Sequence, residues 1–178
     1  MMRRFPRFPL RLALLAGCLV FCSLAASAQT GIYAEFSTSD FHTSNVDRQY
    51  GPTFGLYHNM FRPPFLGIGF DLRATLLGSG GTKAYMGLVG PRLQLRPRLI
   101  PLMPYVEGLV GAGNVQVGGA SSVVSKTALA YEGVAGIDWT IFPRLDWRVV
   151  EFSAGGFSSL NASISPRTWS TGLVLRLP

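Results

Sequence analysis

Cysteine, histidine and charged residues are all scarce in this 178-residue chain. It contains two Cys and two His, and 14% of its residues are charged against 48% that are hydrophobic. So few thiol and imidazole groups, without ligand spacing, give no basis for a metal centre. The chain also lacks the roughly 20 consecutive apolar residues of a membrane-spanning helix. Its apolar residues must therefore be distributed in another pattern, and the 21 glycines argue against long helices.

The first 28 residues have the composition of an export signal. Residues 1–11 contain four arginines and no acid, residues 12–25 form an apolar run, and residues 26–28 read Ala-Ser-Ala, a small-x-small cleavage site. We therefore predict a secretory signal peptide over 1–28, cleaved before Gln29. Two other interpretations stay open, an uncleaved anchor and a lipoprotein signal in which Leu15 to Cys18 resembles a lipobox and Cys18 is lipidated.

Cleavage at this site changes the apparent chemistry of the chain. It leaves residues 29–178 as the predicted barrel domain, without Cys18 and Cys22, so no disulfide is expected. It also removes four arginines, which lowers the formal net charge from +7 to +3. The high isoelectric point therefore belongs mainly to the signal peptide, and no nucleic-acid partner is predicted.

Eight segments rich in alternating apolar residues follow, most of them ended by turn residues. Each has about 10 to 16 residues, a length suited to a tilted strand that crosses a bilayer. The segments are Gly31–His42, Gln49–Met60, Phe65–Leu77, Lys83–Leu95, Met103–Val117, Lys126–Ile141, Asp146–Phe157 and Arg167–Leu177. They predict an all-β, eight-stranded, antiparallel up-and-down transmembrane barrel.

The period of two is clearest in the third segment. Leu66, Ile68, Phe70, Leu72 and Ala74 alternate there with Gly67, Gly69, Asp71, Arg73 and Thr75. One face of such a strand is apolar and the other is small or charged. Helical periodicity does not explain this pattern.

The connections between segments fall into two alternating classes. The odd-numbered ones are polar, Thr43–Arg48, Gly78–Thr82, Gly118–Ser125 and Ser158–Pro166, and the even-numbered ones carry Pro and Arg, at 62–64, 96–101 and 143–144. Successive turns of a meander lie at opposite ends, so two classes of turn predict two chemically different ends. We expect the odd loops to be extracellular and the even turns periplasmic.

Two prolines interrupt the predicted strands. Pro52 and Pro91 each remove a ladder hydrogen bond. In the fourth segment the outward apolar residues change parity, from Met86 and Leu88 to Leu93 and Leu95. A β-bulge at Gly90-Pro91 is expected to explain this change.

Most charged residues of the strands share the parity opposite to the apolar set. The predicted lumen charge network is Glu35, Asp71, Arg73, Arg92, Glu107, Glu132, Asp138, Glu151 and Arg176. An eight-stranded barrel has an interior about wide enough to be filled by side chains, so these groups are expected to pack as an ionic plug. Arg73, Arg92 and Arg176 are the cations available to pair with the acids. A gated narrow conduit is the alternative interpretation.

The C-terminal segment carries a family resemblance. Thr171 to Leu177, with Gly172, Leu173, Leu175 and Leu177, resembles the assembly signal of bacterial outer-membrane barrels. The predicted domain as a whole is similar to the small eight-stranded barrels of the OmpA and OmpX type, and Arg144 to Ser153 resembles a stretch of predicted acidobacterial barrels. This resemblance implies a Gram-negative outer membrane, with its lipids, lipopolysaccharide and the barrel assembly machinery as partners, and a monomer.

Few residues could carry catalysis. Residues 78–81 lack the Lys-Ser/Thr of a phosphate-binding loop and are interpreted as a hairpin tip, and no cofactor is predicted. His42 could act as base toward Ser44, with Asp40 or Asp47 orienting the imidazole. The run from His42 to Asn45 resembles the His-x-Ser-Asn motif of outer-membrane lipid A deacylases, which implies an acyl-ester hydrolase.

The leading functional hypothesis is a non-enzymatic integral outer-membrane barrel with an envelope-structural, binding or narrow-channel role. The first alternative is the membrane-embedded hydrolase that uses His42 and Ser44. The second is a soluble periplasmic carrier of lipocalin type. Its barrel would have the opposite polarity, with apolar residues inside and charges outside.

Overall fold

The computed structural model describes residues 29–40, 48–79, 81–97, 99–119, 122–158 and 166–177. The predicted signal peptide over 1–28 lies outside the described residues, and so do His42, Ser44 and Asp47. The described residues contain no helix that is long and apolar enough to cross a membrane.

Eight strands correspond one to one with the eight predicted segments. They are β1 Gln29–Asp40, β2 Gln49–Phe61, β3 Leu66–Ser79, β4 Thr82–Leu95, β5 Leu102–Gly119, β6 Ser122–Phe142, β7 Leu145–Phe157 and β8 Arg167–Arg176. Each strand pairs antiparallel with the next, and β8 pairs with β1 from Arg176 opposite Gly31 to Arg167 opposite Asp40. The sheet is therefore a closed barrel without an edge strand at the seam, and the predicted up-and-down topology is confirmed.

The two faces of the barrel wall have opposite polarity. Along β3, Phe70 and Leu72 are about half exposed on the outside, whereas Asp71 and Arg73 between them are buried in the lumen. The same alternation runs through β1, where Phe36 is 59% exposed. This arrangement is the reverse of that expected for a soluble lipocalin-like carrier, because the continuous apolar surface is the outer one.

The two ends of the barrel are named here by their connections. The loop end carries the connections β1–β2, β3–β4, β5–β6 and β7–β8, and the turn end carries the other three together with the two ends of the sheet at Gln29 and Arg176. The predicted loop at Gly118–Ser125 is shorter than expected. Gly118 and Gly119 still pair with Val123 and Ser122, so β5 and β6 extend to residues 119 and 122. Small residues do not end a strand when the facing strand supplies its hydrogen bonds.

The expected bulge at Gly90-Pro91 is wrong. β4 pairs with β3 in one unbroken register from Leu95 to Thr82. Met86 and Leu88 face the lumen, where they are buried in an apolar cluster near the loop end, while Leu93 and Leu95 face outward. The alternation between inward and outward residues is unbroken along β4. It only seemed to change because Met86 and Leu88 are apolar residues that face the lumen.

Gly90 lies where the backbones of β4 and β5 approach each other closely. A Cβ atom at Gly90 would overlap the carbonyl oxygen of Gly108, whereas a Cβ atom at Gly87 on the same strand would meet nothing within 4 Å. The β4–β5 ladder has no paired residues at Gly90 and Pro91, between Val89 and Arg92. The glycine therefore permits a close backbone contact beside a proline that donates no hydrogen bond.

The contrast between these two glycines yields a prediction. Gly90→Ala should destabilise the barrel by about 1–3 kcal/mol, because the backbones of β4 and β5 must move apart. Gly87→Ala, the matched control on the same strand, should leave stability within about 0.5 kcal/mol. Urea unfolding of the protein in lipid vesicles, followed by tryptophan fluorescence, measures both. Equal midpoints for the two variants would contradict this account of the β4–β5 contact.

Candidate functional site

The lumen is filled by side chains arranged in layers along the barrel axis. Toward the loop end lies a layer of hydroxyl groups, Ser37, Ser39, Thr53, Thr75, Thr168 and Ser170. The Ser37 hydroxyl lies 2.7 Å from that of Thr53 and 2.8 Å from that of Ser170. On the side of the lumen formed by β3 to β7, this level is filled by the apolar cluster that includes Leu88, Leu109 and Phe157. Below it, in the middle of the barrel, the charged residues meet.

Arg73, on β3, pairs with two acids from strands across the lumen. It donates to the two Glu151 carboxylate oxygens at 2.6 and 2.9 Å and to Glu107 at 3.0 Å. Its Nε donates to the Tyr33 hydroxyl at 3.2 Å, and that hydroxyl donates to Asp71 at 2.7 Å. The bidentate contact with Glu151 fixes the plane of the guanidinium group.

Arg92, on β4, is fully buried and pairs with acids of the next two strands. Its Nη1 donates to Glu107, which lies directly opposite it on β5. Its Nη2 donates to Asp138 of β6 at 3.0 Å. Glu107 therefore bridges Arg73 and Arg92.

Arg148, on β7, completes the set of buried cations. Its Nε donates to Asp138 at 2.9 Å, and its Nη1 donates to Glu151 at 3.0 Å and to Glu35 of β1. Asp138 thus bridges Arg92 and Arg148, and Glu151 bridges Arg148 and Arg73.

These contacts close into one ring of alternating charge. In order, its members are Arg73, Glu107, Arg92, Asp138, Arg148 and Glu151. Every carboxylate in this charge ring contacts two guanidinium groups, and every guanidinium group contacts two of these carboxylates. The pairing satisfies charges that would otherwise be costly to bury.

Three tyrosines hold the guanidinium groups from the sides. The Arg92 Cζ atom lies 3.8 Å from the Tyr105 ring centre and 4.3 Å from that of Tyr57. The Arg148 Cζ atom lies 4.3 Å from the Tyr33 ring centre. All three distances are well within the range of cation–π attraction, which strengthens where water is excluded. The Tyr105 hydroxyl also donates to Glu151 at 2.5 Å.

Seven of the nine residues predicted to line the lumen meet in or beside the charge ring. They are Glu35, Asp71, Arg73, Arg92, Glu107, Asp138 and Glu151. Glu132 of β6 is buried outside the ring, and Ser153 of β7 donates to it at 3.2 Å. Arg176 lies apart at the turn end, 2.8 Å from Asp146, so it is not the third cation of the ring as the sequence suggested.

The sequence pattern missed Arg148 because of a bulge. The register of β7 against β8 shifts between Arg148 and Glu151, so both side chains point inward although they are three positions apart. Strict alternation counted back from Glu151 places Arg148 outside. The imbalance of charge could have indicated a further inward arginine, because the predicted lumen network contains six acids and only three arginines.

The turn end of the lumen is closed by amide groups and arginine. Arg96 follows β4 and donates from Nη2 to Gln29 of β1 at 2.8 Å and to Gln94 at 3.0 Å. Its contact with Gln29 therefore spans the mouth of the barrel. Burial and the nearby charges of Arg62 and Arg176 lower the pKa of Arg96 to about 10, so this side chain remains charged at neutral pH.

Of the residues predicted for the hydrolase alternative, the structure describes Asp40 alone. Asp40 lies on the outer face at the loop end, 3.9 Å from Arg48 across β1 and β2, while His42 and Ser44 are outside the described residues. Among the described ranges there is no group of three or more His, Cys, Asp or Glu residues that could hold a metal ion. The charged residues described in the middle of the lumen are held by ion pairs with one another.

The charge ring predicts a large effect of removing one cation. Arg148→Gln should destabilise the barrel by about 3–5 kcal/mol, because Asp138, Glu151 and Glu35 lose a buried partner. The matched control is Arg144→Gln, which removes an exposed arginine at the turn that precedes β7. Urea midpoints in vesicles measure the difference. Similar midpoints for the two variants would mean that the lumen tolerates an open ring.

The fold is similar to that of solved structures, although the sequence has no close relative among the proteins compared. No family model matches the chain, and no curated protein matches its sequence. Its structure is similar to Neisserial surface protein A, with a TM-score of 0.56, 13% identity and coverage of 84% of this chain and 96% of that one. It is also similar to Ail, the attachment invasion locus protein of Yersinia pestis (0.52, 17%, 84% and 97%).

A third similar structure is the N-terminal β-barrel domain of OprF from Pseudomonas aeruginosa, with a TM-score of 0.53, 12% identity and coverage of 85% of this chain and 100% of that domain. Identities this low establish the fold alone. The resemblance to small eight-stranded outer-membrane barrels, expected from the sequence, is thus confirmed at the level of architecture: the chain has their closed, antiparallel, eight-stranded fold.

Proposed function

We propose that this protein is an integral, non-enzymatic barrel of a Gram-negative outer membrane, closed to ions, which anchors and displays its four polar loops. The observation that carries the proposal is the pairing of an apolar outer face with a lumen filled by the charge ring. An apolar wall suits hydrocarbon, and a closed barrel satisfies its own backbone hydrogen bonds there.

Aromatic residues at both ends support a membrane location. Trp169 and Tyr50 are about half exposed near the loop end, and Trp147 and Phe142 are exposed near the turn end. Such residues favour the level of the lipid headgroups. The barrel is similar to proteins described as a surface protein and an attachment invasion locus protein, which favours a role carried by exposed loops.

The charge ring argues against an open channel. An ion that crossed the middle of the lumen would have to displace guanidinium groups that each hold two carboxylates and contact tyrosine rings. Breaking buried ion pairs costs several kcal/mol each, which makes a steady conductance unfavourable. Function is therefore assigned to the outer surface and the loops, with the odd-numbered loops outside the cell and the even turns in the periplasm.

The proposal includes two partners and an oligomeric state. The barrel assembly machinery would recognise the C-terminal strand through Gly172, Leu173, Leu175 and Leu177, and lipids of the outer membrane would surround the wall. Leu173 and Leu175 are exposed on the outer face of β8, where a membrane partner can reach them. We propose a monomer, because the closed sheet leaves no edge strand at the seam for pairing.

Cell fractionation tests the location. The protein should be found in the outer-membrane fraction after expression in a Gram-negative host, and should migrate faster on a detergent gel before boiling than after it, because a closed barrel resists the detergent. Recovery from the soluble periplasm would overturn the proposal.

Planar-bilayer recording tests the closed lumen. The wild-type protein should give no steady conductance steps, and Arg73→Ala, which opens the charge ring and removes a large side chain, is the variant in which steps should first be seen. Regular steps from the wild-type protein at neutral pH would contradict a closed lumen and favour a narrow channel.

Lipid analysis tests the absence of enzymatic activity. Cells that express the wild-type protein and cells that express Ser44→Ala or His42→Ala should give identical lipid A mass spectra. An acyl chain lost only in the presence of the wild-type protein would establish the hydrolase instead.

A further inference from the structure

Three arginines lie together at the turn end of the lumen. Arg62 follows β2, Arg96 follows β4, and Arg176 is the last residue of β8. Arg96 and Arg176 continue the inward parity of Gln94 and Val174, so both side chains turn toward the mouth of the barrel and away from its apolar wall. The three arginines come from one arc of the sheet, which runs from β8 through β1, β2 and β3 to β4.

These arginines are close enough to repel one another. Burial and the charges of Arg62 and Arg176 lower the pKa of Arg96, and burial and the charge of Arg176 lower the pKa of Arg62. Apart from the acids in or beside the charge ring, Asp146 is the one carboxylate described on the turn-end side of the lumen, and it lies 2.8 Å from Arg176. Three guanidinium groups and one carboxylate leave a net formal charge of +2.

Hydrogen-bond donors at this mouth lack acceptors. The Nε atoms of Arg96 and Arg176 and the Nε2 atom of Gln94 are buried, and none of them has a hydrogen-bond partner among the described residues. Gln94 is fully buried, and its orientation is fixed because its Oε1 atom accepts from Arg96 Nη2 at 3.0 Å. A water molecule could accept from one of these donors, but it would leave the excess positive charge uncompensated.

A glycine on β3 leaves room beside one of these donors. Gly67 is buried in the lumen, and a Cβ atom there would lie 3.6 Å from the Arg96 Nε atom and 3.4 Å from the Asn59 Oδ1 atom. Because glycine lacks that atom, the Nε group of Arg96 can be reached from the side of β3.

We propose that the turn-end mouth of the lumen binds a dianionic phosphate group, either inorganic phosphate or a phosphomonoester, through Arg62, Arg96 and Arg176. A phosphate group carries close to two negative charges at neutral pH, which match the net charge of the mouth, whereas a carboxylate carries one. Guanidinium groups bind phosphate oxygens through parallel hydrogen bonds, and the Gln94 amide offers a further donor.

The direction of the side chains favours a soluble anion over a lipid headgroup. Arg96 and Arg176 point into the lumen, whereas lipids contact the outer wall. In the orientation of the proposed function this mouth faces the periplasm, so the ligand is a soluble phosphate of that compartment. The inference goes beyond the proposed function, because it adds a ligand to the lumen that the anchoring of loops does not require.

The bound phosphate would connect strands that the charge ring leaves out. Neither β8 nor β2 contributes a member of the ring, but each carries one of the three arginines at the mouth. A single anion that contacts Arg62, Arg96 and Arg176 therefore joins β2, β4 and β8. Since a ligand that binds the folded state alone stabilises it, phosphate should also raise the urea midpoint of the barrel.

Equilibrium dialysis against radiolabelled inorganic phosphate tests the site. The full-length gene product is purified from the outer membrane of a Gram-negative host in a zwitterionic detergent without phosphate. Ionic strength is held constant with sodium chloride, because salt screens exposed charges. The wild type should bind phosphate saturably, and Arg96→Gln should weaken this binding at least about tenfold, since hydrogen bonds between charged groups are the strong ones.

The matched control removes an arginine at the same end of the barrel. Arg144 is exposed at the turn before β7, and Arg144→Gln should bind phosphate as the wild type does. If Arg96→Gln does not fold, Arg62→Gln decides the question, because Arg62 is exposed and its loss is tolerated more easily. Arg62→Gln should weaken phosphate binding about two- to fivefold, the effect of one partly screened charge.

Competition distinguishes the sources of the phosphate group. Displacement of the label by glycerol phosphate would support a site that admits phosphomonoesters, and a lack of displacement would support a site for inorganic phosphate alone. Acetate at the same concentration should displace little of the label. Equal displacement by acetate would overturn the assignment to a dianion.

Three further results would overturn the inference while leaving the proposed function intact. They are a lack of saturable binding by the wild type, equal binding by the wild type and both mouth variants, and an equal loss of binding in Arg144→Gln. In each case the barrel would still be found in the outer membrane and would still be heat-modifiable. Recovery of the protein from the soluble periplasm would instead overturn the proposed function.

Discussion

The charge ring in the middle of the lumen is the constraint on which the rest of the barrel depends. Three guanidinium groups and three carboxylates alternate, and each contacts two partners of opposite charge. Removing any one of these groups takes away one of the opposite charges that each of its two neighbours contacts in the buried interior. The lumen residues of β3 to β7 are therefore determined together, as a set, and not strand by strand.

The outer wall follows from the same alternation of side chains. Because successive residues of a strand point to opposite faces, the charges that build the ring leave every second position for lipid-facing residues. Apolar residues also enter the lumen near the loop end, where Met86, Leu88 and Phe157 pack together. The lumen and the outer face are therefore distinguished more clearly by their charged residues than by their apolar residues, which occur on both.

The sequence predicts the fold well because eight segments in which apolar and polar residues alternate, joined by short connections, are typical of a closed up-and-down barrel. Strand number, order and bounds within a few residues follow from it, and so do most of the buried acids. What it misses depends on register: the bulge between Arg148 and Glu151 reverses parity inside one strand. Contacts such as Arg73 with Glu151, 78 residues apart in the chain, require the closed barrel and cannot be derived from local pattern.

The ring also has an uneven distribution around the barrel. Its six members come from β3, β4, β5, β6 and β7, which are contiguous, and β8 contributes none of them. The contact between Arg73 and Glu151 therefore ties β3 to β7 across the lumen by side chains, whereas β8 joins β7 and β1 through the backbone pairing of the sheet. One half of the barrel is thus braced from within, and the other is held by its ladder alone at this level.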